Sequence, residues 1–495
     1  MFEKPAAKLV SVGISLCLST LAMGQGTSTP AVVTDTAPSA GAGSASVESA
    51  EQTWDAWRKE VTNPAPWWKW GADLRLREKY LHLNTLSAVA PTHERHIQRY
   101  RARWWNTFTP AENVELGVRL TYEGRHYATP AAYTEWYNSP LYIDQLYVKF
   151  NKLFDLPLTA VIGRQDLKFG DGWLVLDGTP MDGSRTNYLD AAKFTYKFDE
   201  INTTVDVAAV YQGSRSNAWL PTINNDIEHQ TEQTERGAIL WVTHKLSPET
   251  QISPYYIYYH GDMNTEFLTA GTGGPAFNPM APGSVARGID ADLNTFGMHI
   301  THKFDENWKA TLEGAGQFGV RNGNDALAYG VRSQVVYSFN DDNKTLIRGG
   351  YEYLTGDDPT TARYEGFDPL WGRWPQWSDY HVYAFAAEGR VSEATNFHRI
   401  QVGLQSDLFK DFMASADYHY LLADENTRAG ALGFTNNGKE TRTPAGALLQ
   451  VQIQRVPQHP AQCGNVFPRR LLHGPPQQNG HLPSLGMGTQ LLTRL

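Results

Sequence analysis

The stretch Val114-Glu115-Leu116-Gly117-Val118-Arg119-Leu120-Thr121-Tyr122-Glu123-Gly124-Arg125 decides the fold. In an extended chain, alternate side chains point to opposite faces. Val114, Leu116, Val118, Leu120 and Tyr122 then share one face, and Glu115, Arg119, Thr121 and Glu123 share the other. No helical period of about 3.6 residues can be drawn through the run. One face suits lipid and the other water, which is the pattern of a strand in the wall of a transmembrane β-barrel.

The same split recurs on both sides of this run. Ala192, Phe194, Tyr196 and Phe198 oppose Lys193, Thr195 and Lys197, and Leu448 and Ile453 oppose Gln450 and Gln452 with a break of phase. Further segments begin near Trp70, Ile97, Leu141, Leu158, Thr203, Arg236, Gln251, Leu293, Trp308, Leu327, Thr345, Asn396 and Phe412. Counted on a template of about ten residues per strand, they make about sixteen strands. Short polar links, such as Phe198–Asn202, Phe304–Asn307 and Phe339–Asn343, alternate with long insertions at Ser214–Thr234, Gly261–Asp290 and Gly356–Glu393. Barrels keep short turns on the periplasmic side, so the long insertions are expected to lie over or fold into the outer mouth. A soluble β-sandwich or solenoid would also alternate. Aromatics near the strand ends, among them Trp104, Trp105, Phe304, Trp308 and Phe339, favour the membrane. The predicted fold is all-β, a transmembrane antiparallel β-barrel.

Residues 1–24 read as a signal peptide: Lys4 and Lys8, an apolar Leu9–Leu21, then the small-x-small triplet Ala22-Met23-Gly24. That apolar run is shorter than the roughly 20 residues of a spanning helix. The expected destination is the outer membrane of a Gram-negative type cell. Residues 25–66 read as a flexible periplasmic leader, with Trp54 and Trp57 set among charges either in a turn or two of helix or in a plain surface turn. Residues 67–454 read as the barrel and 455–495 as a proline-rich tail. Cys17 falls in the signal and Cys463 in the tail, so neither a disulfide nor a cysteine metal site is expected in the barrel. The net charge of −9 argues against nucleic acid as a partner, which needs a basic field.

Within this acidic chain one region is basic. Arg99, Arg101 and Arg103 stand at alternate positions opposite Tyr100, Ala102 and Trp104, and the preceding strand repeats the arrangement with Asp73, Arg75, Arg77 and Lys79. Facing lipid, each would cost about 2–4 kcal/mol at the midplane. They are therefore placed in the lumen or near an interface, as are Arg119 and Lys193. Between Lys69 and Arg125 there are ten Lys or Arg against six Asp or Glu. Such a wall attracts carboxylates or phosphates, which guanidinium can bind bidentately. Equally, the arginines can pair with Asp73, Glu115 and Glu123 and stiffen a polar lumen. No catalytic motif, metal-ligand spacing or cofactor signature is evident, and no enzyme activity is expected. His299 and His302 point to opposite faces, and the turn Gly356-Asp357-Asp358-Pro359 reads as a solvated turn more readily than as a calcium site.

The segment Gly163-Arg164-Gln165-Asp166-Leu167-Lys168-Phe169-Gly170-Asp171-Gly172 resembles the alginate export family of outer-membrane porins. Asp182-Gly183-Ser184-Arg185 and Trp371-Gly372-Arg373-Trp374-Pro375-Gln376-Trp377 fit the same family. The resemblance implies an eighteen-stranded barrel with an arginine-rich constriction that exports an anionic polysaccharide. Arg164 and the arginines of the first strands would then contact uronate carboxylates, with Asp166 and Asp171 holding them in place. Outer-membrane lipid and periplasmic export components are the further partners it implies. A general porin for small sugars or anions, and a membrane-embedded hydrolase, are the rival functions. After Gln454 the alternation stops and six prolines follow, from Pro457 to Pro483. Proline cannot donate to a ladder, so the tail is expected to hold no closing strand, consistent with a frameshift.

Overall fold

The computed structural model describes residues 12–13, 56–82, 94–129, 136–138, 140–177, 188–227, 230–231, 233–263, 290–358, 360–372, 377, 395–409, 412–425, 447–455 and 489–493. Among these, sixteen long strands follow one another: β1 (Trp68–His82), β2 (Glu94–Ala111), β3 (Val114–Thr129), β4 (Tyr142–Phe150), β5 (Leu158–Gln165), β6 (Leu189–Phe198), β7 (Thr203–Gln212), β8 (Gln233–Lys245), β9 (Thr250–Met263), β10 (Ala291–Lys303), β11 (Trp308–Arg321), β12 (Asn324–Ser338), β13 (Leu346–Leu354), β14 (Phe397–Phe409), β15 (Phe412–Ala423) and β16 (Ala447–Arg455). Each pairs antiparallel with the next in the chain, from β1 with β2 to β15 with β16.

The sorting of side chains follows the period of two. In β3, Arg119, Thr121, Glu123, Arg125 and Tyr127 are buried while Leu116 is exposed. Leu74, Trp104, Leu240, Phe296, Leu312 and Val402 are likewise exposed on the outward face. The first three strands run to 15, 18 and 16 residues, longer than the ten expected. They continue past the apolar band. Toward the long-loop end their outward side chains turn polar, as where His96 Nε2 meets Glu78 Oε1 at 2.6 Å.

Tight turns close the other end. Asn113 and Asn202 take positive φ there, a conformation Asn tolerates better than most residues. Aromatics gather at the same end, with Tyr196 4.4 Å from Phe198 and Trp308 4.8 Å from Tyr337, as expected of an interfacial girdle.

Ahead of β1, residues 56–62 form a short helix, one of the two alternatives the sequence left open. The tail holds one short strand: Thr489–Thr493 is extended and runs parallel to β16, and it also pairs parallel with Val12–Gly13. This strand lies beyond Pro483, the last of the prolines, so no missing donor opposes it. These parallel contacts differ from an antiparallel closing pair, and no pairing joins β1 to β16 among the described residues.

The Gly-Arg-Gln strand shows how closely neighbouring strands approach. Gly163 has φ 124°, and a Cβ there would collide with the Leu146 carbonyl oxygen of β4. Gly163→Ala should therefore destabilise the sheet by about 1–3 kcal/mol. The loss should appear as a lower urea midpoint and a smaller fraction resisting unheated SDS; a variant as stable as the parent would refute the close approach.

Candidate functional site: the charged inner face and its inward loops

The pairing register of β1 to β3 lines up like charges. Arg77 lies opposite Arg99, and Arg99 opposite Arg125, so three guanidinium groups stand in one row across three strands. The next row holds Arg75, Arg101 and Glu123, and the next Asp73, Arg103 and Thr121. Arg75, Arg77, Arg99, Arg101, Arg103 and Arg125 are all buried on the inner face. Like charges directly opposite one another are destabilising unless acids answer them. Glu123 takes Arg99, whose Nε and Nη2 donate at 3.1 and 2.7 Å, and Asp73 sits between Arg103 and Arg101, the latter at 3.5 Å.

Arg119, further along β3, is held from two sides. Its Nη2 donates to Asp144 of β4 at 2.8 Å and to Asp166 at 2.9 Å. Arg164 is enclosed. Its Nε donates to Asp190 Oδ1 at 2.9 Å, its Nη1 to the Ile143 carbonyl at 2.9 Å, and its guanidinium lies 3.6 Å from the Tyr188 ring and 5.3 Å from that of Trp219. Lys193 pairs with Asp206 at 3.1 Å and lies 4.9 Å from the Phe169 ring.

Two loops turn inward. After β5, residues 166–177 leave the wall and cross to strands far along the sheet, with Phe169 against Trp241 of β8 and Trp173 Nε1 donating to Glu352 of β13 at 2.9 Å. The loop after β13 meets them: Val175 bridges to Trp371, Leu176 N donates to Trp371 O at 3.3 Å, and Trp173 stacks on Phe367 at 5.4 Å. Leu167, Leu174, Val175, Leu176, Phe367, Leu370 and Trp371 are all buried, against the inward Ile239, Ile257 and Tyr259. Each such side chain contributes about 1.5–3 kcal/mol when fully buried. The inner face of β8 to β12 is therefore partly apolar, where a water-filled lumen would be polar throughout.

Below this apolar body runs a ladder of alternating charge. Glu313 of β11 meets Arg332 of β12 at 2.6 Å, and Glu352 of β13 meets Arg399 of β14 at 2.9 Å. Gln401 Nε2 then donates to Asp417 of β15 at 3.0 Å, and Arg348 Nη2 to the same carboxylate at 2.5 Å. Asp171, in the first inward loop, reaches this ladder at Arg332, 3.7 Å away, and meets His299 at 3.3 Å.

The structure thus gathers Arg75, Arg77, Arg99, Arg101, Arg103, Arg119 and Asp166 on one wall, encloses Arg164 beside it, and sets Lys193 and Asp171 nearer the inward loops. Asp144, Asp190, Arg125 and the whole ladder escaped sequence reasoning. Most contribute one charge per strand, so no triplet draws attention to them. Of the insertions, Ser214–Thr234 latches onto the β4 entrance, where Ile223 N donates to Leu141 O at 3.0 Å. Most of Gly261–Asp290, the motif Asp182–Arg185 and residues 373–376 lie outside the described residues. In the turn proposed as an alternative calcium site, Asp357 and Asp358 accept backbone N–H groups of Glu365 and Thr360 at 2.9 and 2.8 Å. No group of three or more metal-ligating residues occurs among the described residues.

An antiparallel sheet that is apolar outside and charged within, its loops folded into the concavity, defines a barrel of the outer-membrane porin class. The sequence model of the alginate export family matches residues 67–460, and the chain belongs to that family. No curated relative matches it in sequence. Similar solved structures include OccK5 (OpdH) of Pseudomonas aeruginosa, 12% identical with a TM-score of 0.43, covering 79% of this chain and 89% of that one. Another is OprB of Pseudomonas putida, 11% identical with a TM-score of 0.42 over 74% and 91% of the two chains. A third is an anion-selective porin of Comamonas acidovorans, 9% identical with a TM-score of 0.39 over 73% and 91%.

Asp144 is wholly buried and binds Arg119 through both oxygens. Asp144→Asn, with Asp166 still in place, should cost roughly 1.5–3 kcal/mol of stability in lipid or detergent unfolding. An unchanged unfolding midpoint would show that Asp166 alone suffices.

Proposed function

We propose that the protein is an outer-membrane channel passing an anionic polysaccharide of the alginate-like polyuronate class along the arginine wall of β1 to β3. The observation that carries this reading is the row Arg77, Arg99 and Arg125, set side by side by the pairing register. Aligned guanidinium groups are costly in an inert wall and useful to a passing carboxylate, which each can bind with two parallel hydrogen bonds. A polymer bearing one carboxylate per sugar could exchange its charges from Arg77, Arg99 and Arg125 to Arg75 and Arg101, then to Arg103, with Arg119 holding the wall beside them. Asp73, Glu123, Asp144 and Asp166 temper the affinity, as conduction requires sites strong enough to enter and weak enough to leave. Arg164, enclosed by Asp190 and two rings, serves as a support at the edge of this wall, and Lys193 adds positive charge beside the inward loops. Membership of the alginate export family supports the same substrate class.

Single-channel recording in planar bilayers tests the reading. The channel should prefer anions and be blocked by polyuronate, and the triple variant Arg99→Ala, Arg101→Ala, Arg103→Ala should lose most of both. Block by a neutral dextran equal to that by polyuronate would instead mark a general sugar porin.

A further inference from the structure

The turn Gly170-Asp171-Gly172 places a carboxylate in an unusual setting. Gly170 at φ 53° and Gly172 at φ 81° adopt left-handed conformations, and Gly172 N donates to Phe169 O at 2.9 Å, so the chain reverses with Asp171 at its tip. Phe169 packs on Trp241 at 5.6 Å on one side and Trp173 on Phe367 at 5.4 Å on the other, which pins the turn against the wall. The tip faces His299 and Arg332, with Trp173 5.5 Å from the Arg332 guanidinium and Trp241 beside His299 at 6.5 Å. A guanidinium beside an imidazole, held between buried rings, offers N–H donors of the kind that bind a carboxylate.

The contacts of Asp171 are long, at 3.3 Å to His299 and 3.7 Å to Arg332, whereas Arg332 keeps a 2.6 Å bond to Glu313. Arg332 is thus anchored by Glu313 without the loop. Asp171 itself is half exposed, while the His299 side chain is only 5% exposed. His299 and the Arg332 charge hold the Asp171 carboxyl low, at about 2, so it is an anion at any physiological pH.

We propose that His299 and Arg332 form a subsite for the carboxylate of one uronate residue, and that Asp171 occupies it as an internal stand-in which the polymer displaces. This rests on the polyuronate reading above. The channel is then restrained by its own loop, and the substrate competes with Asp171 for the same donors.

Binding of an oligouronate of defined length, with the matching neutral oligosaccharide as control, tests this by calorimetry on the full chain in detergent. Asp171→Asn should raise oligouronate affinity on the order of tenfold, the scale of one lost charged competitor. Asp171→Glu should behave as the parent, and Arg332→Gln added to Asp171→Asn should remove the gain. Unheated SDS mobility verifies that each variant is folded. Binding by the parent with no gain in Asp171→Asn overturns the subsite and leaves the export reading intact. An equal gain for the neutral oligosaccharide also overturns it, because a loosened loop would explain both. If neither parent nor variant binds oligouronate, the export reading falls and the subsite with it.

Discussion

A charged side chain on the lipid face of a barrel strand costs about 2–4 kcal/mol at the bilayer midplane, and the strand period of two turns that cost into a sorting rule. Everything else in this structure follows from obeying it. Leu74, Trp104, Phe296 and Val402 go out, and Arg75, Arg103, Thr295 and Gln401 go in. The inner face is then left with more charge than a dry interior accepts, and the fold answers with acids on adjacent strands, as at Glu123 and Asp73. A buried charge that loses its partner is far costlier than one that never had to be buried. Pairing on the inner face is therefore a second consequence of lipid on the outer one.

That rule also explains how much of the molecule could be read from the sequence. Strands β3 and β6 were legible because apolar and polar residues alternate without interruption, and strand starts such as Leu158, Thr203, Trp308 and Phe412 coincide with those observed. Arg99, Arg101 and Arg103 were legible as one face because three equal charges at alternate positions admit no other strand geometry. Residues 166–177 were not. Leu167, Phe169, Leu174, Val175 and Leu176 look like more wall, yet their apolar side chains are buried inside against a second loop. The sequence pattern reports that a side chain avoids water, not whether lipid or protein receives it. The ladder from Glu313 to Asp417 was illegible for another reason. Its members are contributed by β11 to β15, and only the pairing register brings Arg332 opposite both Glu313 and Glu352.

The two walls divide the work between them. On β8 to β12 the inward apolar residues include Ile239, Ile257, Tyr259, Leu293 and Ala328, and the inward loops pack with them in one buried cluster. An apolar concave wall must be covered, since water would not fill it favourably. The loops that cover it leave the charged residues of β1 to β4 on the inner face.

The strength of the contacts differs between the walls in a way that bears on transport. Arg119 and Arg164 are locked by multiple short bonds, so they hold β3, β4 and β6 in place and have little left to exchange. Asp171 touches His299 and Arg332 only at 3.3 and 3.7 Å, although the loop carrying it is fixed by buried aromatics. A firmly mounted loop with a loosely engaged carboxylate is a stable support for a replaceable contact. The hydrophobic body sets where the loop sits, and the weak ion pair at its tip sets what can compete with it. Rigid placement and a loosely engaged charge are thereby assigned to different side chains of one twelve-residue segment, and the contact at the tip can change without unpacking the core.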